Sequence, residues 1–310
     1  MAHLSKPGHD TGHFNTSEVR VRVNNQSSKA TSRIIALPKG HYKQPPNLAA
    51  GFSCLDVSSE APIRANLLAD QITKDDFRIS IETWGDSVLY EGGATWIEHK
   101  ANAKDAIFGQ YDTDEGHHDS QSGQMRNRSP RKQARSAPEH RQKNSRPIFF
   151  PHAFQEPPEV ICWLNRLDLA SGADFDYRMR AFADEVTAES FLAHLNTWDS
   201  GRMQGAAMAW VAFPRGKKNV DCGTFSTTSV RKKSDPRPRT TGTVKFRQIF
   251  QKVPTVLSAL SSIDAAGNAD LRVKVTIGDV TREGFRWTLE TWDDSTLYAA
   301  SASWIALGFD

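Results

Sequence analysis

The sequence predicts an all-β protein of three tandem six-stranded antiparallel β-sandwich units in one chain of 310 residues. Three observations carry that expectation. An Arg, a Trp twenty residues on and a second Trp twelve residues later occur three times: Arg64, Trp84, Trp96; Arg178, Trp198, Trp210; and Arg272, Trp292, Trp304. Both intervals hold in every copy, since 84−64, 198−178 and 292−272 are 20 while 96−84, 210−198 and 304−292 are 12, so the chain is read as copies of one unit. In the third copy, Leu271, Val273, Val275 and Ile277 alternate with Arg272, Lys274, Thr276 and Gly278, a period of two that gives a strand one core face and one solvent face. No segment carries a helical period, and turn signals recur every ten or so residues.

Related openings, GHFNTSEVR from Gly12, GQYDTDEG from Gly109 and GTFSTTSVR from Gly223, fix the units at residues 10–99, 105–214 and 219–310. In the third unit the opening is the first strand, VKFRQIF and PTVLSALSSID are the next two, and the run from Leu271 is the fourth. The turn TREG leads into FRWTLETW, where Phe285, Trp287 and Leu289 alternate with polar residues, and DDST leads into LYAASASWIAL. These last three strands form an antiparallel meander. Units of about a hundred residues can each bury a core. The joints, EHKANAK and PRGKKN, are short and polar, so neighbouring units should sit close. The middle unit is longer because of an insertion at about 115–146, whose stretch 126–146 has eight Lys or Arg, one Glu and no aromatic residue. That composition predicts a disordered surface loop, with contact to phosphates as the alternative.

Apolar residues are 38% and charged residues 24%, as in a soluble globular protein. No run approaches the ~20 apolar residues of a membrane helix, so membrane insertion is not expected. The start, MAHLSKPGHDTGHF, lacks a secretory apolar stretch; a cytoplasmic location is expected, with non-classical export left open. A net charge of +3 is too small to imply nucleic acid. Cys54, Cys162 and Cys222 fall at different places in their units, which argues for thiols and against a disulfide framework. Adjacent His117, His118 and Asp119 lack further spaced ligands, and Cys222 has no repeated base near it, so no catalytic residue, metal or cofactor is expected.

The order P-x-V, an Asp closing the next strand, Leu-Arg-Val, Val-Thr-x-x-Gly-Phe, Thr-Trp, Leu-Tyr and a final Trp-Ile resembles the H-type lectin domain, the family of snail agglutinins and slime-mould discoidins. Residues 254–307 match nearly throughout; 46–97 and 158–211 match more loosely. The resemblance implies a six-stranded antiparallel sandwich, usually trimeric, that binds N-acetylgalactosamine or galactose and performs no chemistry. It also implies a shallow glycan site at Arg272, Trp292, Asp293 and Tyr298, with counterparts Arg64, Trp84, Gly85 and Tyr90 in the first unit and Arg178, Trp198, Asp199 and Gln204 in the second. The chemistry agrees, since an indole offers an apolar plate to the C–H face of a sugar while charged groups fix its hydroxyls.

The chain departs from the family where His often follows the first Trp: Gly85, Asp199 and Asp293 stand there, and a carboxylate accepts but cannot donate. The loop SDPRPR places Arg237 and Arg239 near where the family brings an acid, with Asp235 just short of it, which leaves an acidic or sulfated sugar open. Trp96, Trp210 and Trp304 read as core; Arg64, Arg178 and Arg272 read as alternating outward. Asp56, Asp168 and Asp264 recur at strand ends, where they would fix a turn or touch sugar. One chain should replace the family's trimer as an intramolecular pseudo-trimer. The expected partners are glycans bound at three sites, the middle one weakest because Gln204 replaces a Tyr. The competing reading is a protein-interaction or scaffold module in which the Arg and Trp positions stabilise contacts between units.

Overall fold

The computed structural model describes residues 9–20, 29–114 and 143–309. Six strands fall in each repeat. The first holds β1 (His9–Asn15), β2 (Ala30–Ala36), β3 (Asn47–Val57), β4 (Ile63–Asp70), β5 (Asp76–Glu82) and β6 (Leu89–His99). The second holds β7 (Ile107–Asp112), β8 (Lys143–Phe149), β9 (Glu159–Leu169), β10 (Tyr177–Asp184), β11 (Ser190–Asn196) and β12 (Met203–Phe213). The third holds β13 (Val220–Ser226), β14 (Arg239–Lys245), β15 (Thr255–Ala265), β16 (Leu271–Gly278), β17 (Gly284–Glu290) and β18 (Leu297–Leu307).

Two sequence expectations need correction. Residues 143–146, assigned to the disordered insertion, belong to β8, which pairs along its length with β11. β8 is an edge strand, and edges carry polar, basic and Pro residues that disguise them in sequence. The rest of the insertion, 115–142, lies outside the described residues, as do His117, His118 and Asp119. In the third unit the second strand is RTTGTVK rather than VKFRQIF. Phe246 and Phe250 leave that edge, their amides donating to Glu283 and Arg282 in the turn between β16 and β17, and their rings meet edge to face at 5.0 Å.

Each unit splits its strands into two triplets, and each triplet is half of a six-stranded sheet completed by a neighbour. The sheet orders are β1-β6-β3-β16-β17-β14, β2-β5-β4-β9-β12-β7 and β13-β18-β15-β10-β11-β8. The central junctions, β4 with β9, β10 with β15 and β16 with β3, are antiparallel pairings of four residue pairs each. They join first unit to second, second to third and third back to first, so the three units close a ring.

The core explains the recurrent letters. Trp96, Trp210 and Trp304 are buried, each meeting the Phe of its own fifth strand (Phe77, Phe191, Phe285) edge to face at 5.5, 5.1 and 5.2 Å. Directly across the ladder from them stand Gly12, Gly109 and Gly223. A Cβ on Gly12 or Gly109 would overlap the indole, and one on Gly223 would press against Trp304 at 3.1 Å, so the opening segments begin on Gly. A second apolar cluster gathers where β3, β9 and β15 meet one another. At equivalent positions there stand Gly51, Trp163 and Ala259: one large side chain fills the centre and two small ones make room. Trp163 donates from Nε1 to the Ser303 carbonyl at 3.0 Å. All three cysteines are buried thiols, and burial pushes Cys162 and Cys222 up to about 12.

Candidate functional site

At each junction the repeated Arg lies directly opposite an Asp of the next unit. The register pairs Arg64 with Asp168, Arg178 with Asp264 and Arg272 with Asp56. Nε of each Arg points at that carboxylate, at 3.3, 3.0 and 3.3 Å. The arginines therefore do not face free solvent as the alternation suggested: Arg272 is buried, and Arg64 and Arg178 expose only 17% and 16% of their side chains. The aspartates sit near the ends of their strands, inside the ladder, and receive the neighbouring unit's guanidinium.

The remaining guanidinium N–H groups turn outward to a ring of acceptors. Arg64 Nη1 bonds Asp86 at 2.7 Å. Arg178 bonds Ser200 at 2.9 Å and Asp176 at 2.8 Å. Arg272 bonds Asp294 at 2.5 Å, Ser295 at 3.2 Å and Asp270 at 2.7 Å. Asp86, Ser200 and Asp294 each lie two residues after the first Trp, one beyond the position that sequence reasoning singled out; their shared offset was the signal that could have found them. Arg272 holds the Asp294 carboxyl below the usual carboxylate range through this bond. Burial pushes the Asp168 carboxyl up, and the charge of Arg64 only partly offsets that.

The twenty-residue interval follows from the hairpin. Arg64 and Arg272 sit near the start of a fourth strand, and Thr83 and Thr291, just past the end of the fifth, donate from Oγ1 back to the Arg carbonyl at 2.7 and 2.6 Å. The chain then turns, with Ser87, Gly201 and Ser295 donating their amides to the carbonyls of Trp84, Trp198 and Trp292. The residue after each Trp is forced to positive φ: Gly85 at 63°, Asp199 at 49° and Asp293 at 53°. Gly and Asp tolerate that region better than most residues. At Gly85 a Cβ would also lie 2.7 Å from Arg64 Nη1. This turn holds the three indoles half-buried at the rim of each junction, beside exposed carboxylates.

Strand pairing separates the tyrosines from the arginines of their own repeats. Tyr298 lies in β18 at the bulge facing Asp264 and Ala265, beside the carboxylate that Arg178 meets. Tyr90 lies in β6 at the bulge facing Asp56 and Val57, beside the partner of Arg272. Gln204 occupies the matching bulge opposite Asp168 and Leu169, beside the partner of Arg64. Asp235, considered as a sugar acceptor, is bound to Arg237 at 2.6 Å on the surface. Sequence reasoning also missed Lys233, whose Nζ lies 2.7 Å from Asp264. Among the described residues no group of three or more His, Cys, Asp or Glu could hold a metal ion, and no helix is long and apolar enough to cross a membrane.

A family model described as the H-type lectin domain matches residues 39–97, 145–213 and 241–307, more than half of the chain. Over 65 residues the sequence is 29% identical to ATP synthase subunits region ORF 7 of Fuscovulum blasticum; the match spans 21% of this chain and 56% of that relative. Two structures of discoidin II from Dictyostelium discoideum, the wild-type and the native recombinant protein, are 19% and 20% identical to it. They cover 50% of this chain and 73% and 74% of their own, with TM-scores of 0.26 and 0.25.

Proposed function

The chain belongs to the H-type lectin domain family, and from that premise we propose that it is a multivalent lectin for galactose- or N-acetylgalactosamine-type glycans, with one site at each of its three junctions. The observation that carries this reading is the repeated rim: a half-buried indole beside outward carboxylates held in place by a guanidinium. The indole is a plate for the C–H face of a pyranose, and Asp86, Asp293 and Asp294 are acceptors for its hydroxyls. Arg64, Arg178 and Arg272 organise those acceptors and join the units, because most of their N–H groups already face protein oxygens.

In this reading each site draws on two units, and the tyrosines are reassigned. The first site comprises Arg64 and Trp84 with Gln204 beside it; the second, Arg178, Trp198 and Tyr298; the third, Arg272, Trp292 and Tyr90. The first site, rather than the second, then lacks the aromatic wall. A second reading, a protein-interaction scaffold, is favoured by one observation: the Arg–Asp pairs act between units whether or not sugar binds. A glycan array on the purified chain, followed by titration of Trp292→Ala, tests the proposal. Binding to terminal galactose or N-acetylgalactosamine that falls with the indole supports it, and a folded chain silent across the array sinks it.

A further inference from the structure

The second junction carries a cation supplied by the neighbouring unit. Lys233 belongs to the loop after the 3-10 turn Thr227–Ser229 of the third unit, yet it reaches the site whose indole and arginine come from the second. Its Nζ lies 2.7 Å from Asp264 Oδ2 and 5.5 Å from the centre of the Trp198 ring. Asp264, with 4% of its side chain exposed, thus receives Arg178 on one oxygen and Lys233 on the other. The loop that presents Lys233 is itself anchored. Arg231 donates to the carbonyls of Leu297 at 2.8 Å and Tyr298 at 2.9 Å, and from Nε to Thr240 at 2.8 Å.

We propose that Lys233 is a specificity-determining latch of the second site: it occupies the face of Trp198 and must withdraw before a neutral sugar can stack there. The inference rests on reading Trp198 as a sugar plate. An ammonium and a sugar C–H face compete for the same negative π surface, so both cannot use it at once. Displacing Lys233 also removes one of the two cations on a buried carboxylate. Because 53% of the Lys233 side chain is exposed, its contacts are modest and salt-screened, which makes it a reversible latch rather than a permanent closure. The second site therefore binds neutral sugar more weakly than its parts would allow, and it opens as ionic strength rises.

The test uses the full chain with Trp84→Ala and Trp292→Ala, so that Trp198 is the remaining rim indole, titrated calorimetrically with N-acetylgalactosamine. Adding Lys233→Ala should strengthen binding about tenfold, which corresponds to about 1.4 kcal/mol, whereas Lys233→Arg should leave it weak. Raising salt from about 0.05 M to about 0.5 M should strengthen binding with Lys233 present and leave the Lys233→Ala chain unmoved. A sugar-independent readout is the 19F resonance of Trp198 in protein labelled with 5-fluorotryptophan, assigned through Trp198→Phe. Lys233→Ala should shift that resonance and Lys233→Arg should restore it. An unmoved resonance, or equal sugar affinity with and without Lys233, overturns the latch. If the resonance moves but no chain binds the sugar, the wild type included, the lectin reading of the site falls and the latch's role falls with it.

Discussion

Arg178 donates from Nε to Asp264 at 3.0 Å across the junction of the second and third units, from the position directly opposite it in the strand ladder. Arg64 with Asp168 and Arg272 with Asp56 repeat that relationship, and the three pairs lie on the three seams of the ring. Breaking a buried pair from one side costs about 3–5 kcal/mol because a desolvated charge is left behind. Arg272→Met should approach that cost, since Asp56 is fully buried. Arg178→Met should cost less, because Lys233 still neutralises Asp264. Urea unfolding of both variants checks the order; losses under about 1 kcal/mol would show the pairs to be ornamental. Arg272 is for this reason a poor site at which to separate sugar binding from folding, and Trp292 is a better one.

Gly51, Trp163 and Ala259, which meet at the centre of the ring, allow a stricter test. Trp163→Ala should cost about 3–5 kcal/mol through the cavity it leaves, and Gly51→Trp should be destabilising because the centre is already filled by Trp163. Combining Gly51→Trp with Trp163→Gly moves the large side chain one step round the ring. That double variant should be more stable than either single one, as measured by thermal unfolding. Simple additivity of the two losses would show that the central positions are not equivalent from unit to unit.

The joints should respond to acid. Lys217, in the joint between the second and third units, donates to the Asp105 carboxylate and to its carbonyl at 3.0 Å, and His99 Nε2 lies 3.0 Å from the same carboxylate. Burial pushes the Asp105 carboxyl up, but the bonds and charges of Lys217 and His99 outweigh it and hold the group well below the usual range. A carboxylate depressed in this way stabilises the fold above its unfolded pKa of about 4 and loses that contribution as pH falls through the lower folded value. Asp105→Asn should therefore be less stable than wild type at neutral pH, with the gap closing below about pH 4. Urea melts of the two proteins across that window decide it, and a constant gap would exclude the ionised carboxylate as the cause.

The strands were legible because each unit repeats its own alternation, and the spacing of Arg, Trp and Trp is the length of a hairpin plus a turn. What the letters could not show was which unit completes which sheet. Arg64 and Asp168 are 104 residues apart, and nothing local in either strand specifies the partner edge. For the same reason the repeat groups Tyr298 with the arginine of its own unit, although β18 runs beside the strand that meets Arg178. Lys143–Phe149 was partly hidden by its basic edge composition. Lys233 holds the place after Gly223 that Arg22 holds after Gly12, and its role could not be read from sequence because it depends on which unit completes the junction.

Useful affinity should come from several sites acting together. A rim that holds one sugar by an indole face and a few hydroxyl bonds gives roughly millimolar binding, about −4 kcal/mol. Joining such sites on one ring can raise apparent affinity by roughly 10² to 10⁴ where ligands are spaced to reach them. The third site should outbind the first, since it combines Trp292 and Tyr90 whereas the first has Gln204 in place of Tyr. Trp292→Ala should then weaken retention on a galactose-coated surface more than Trp84→Ala, and the two together should abolish it. Calorimetry with free galactose beside surface retention separates the possibilities. A chain that binds the free sugar as tightly as the coated surface would rule out multivalent recognition, and one that loses as much with Trp84→Ala as with Trp292→Ala would undo the reassignment of the tyrosines.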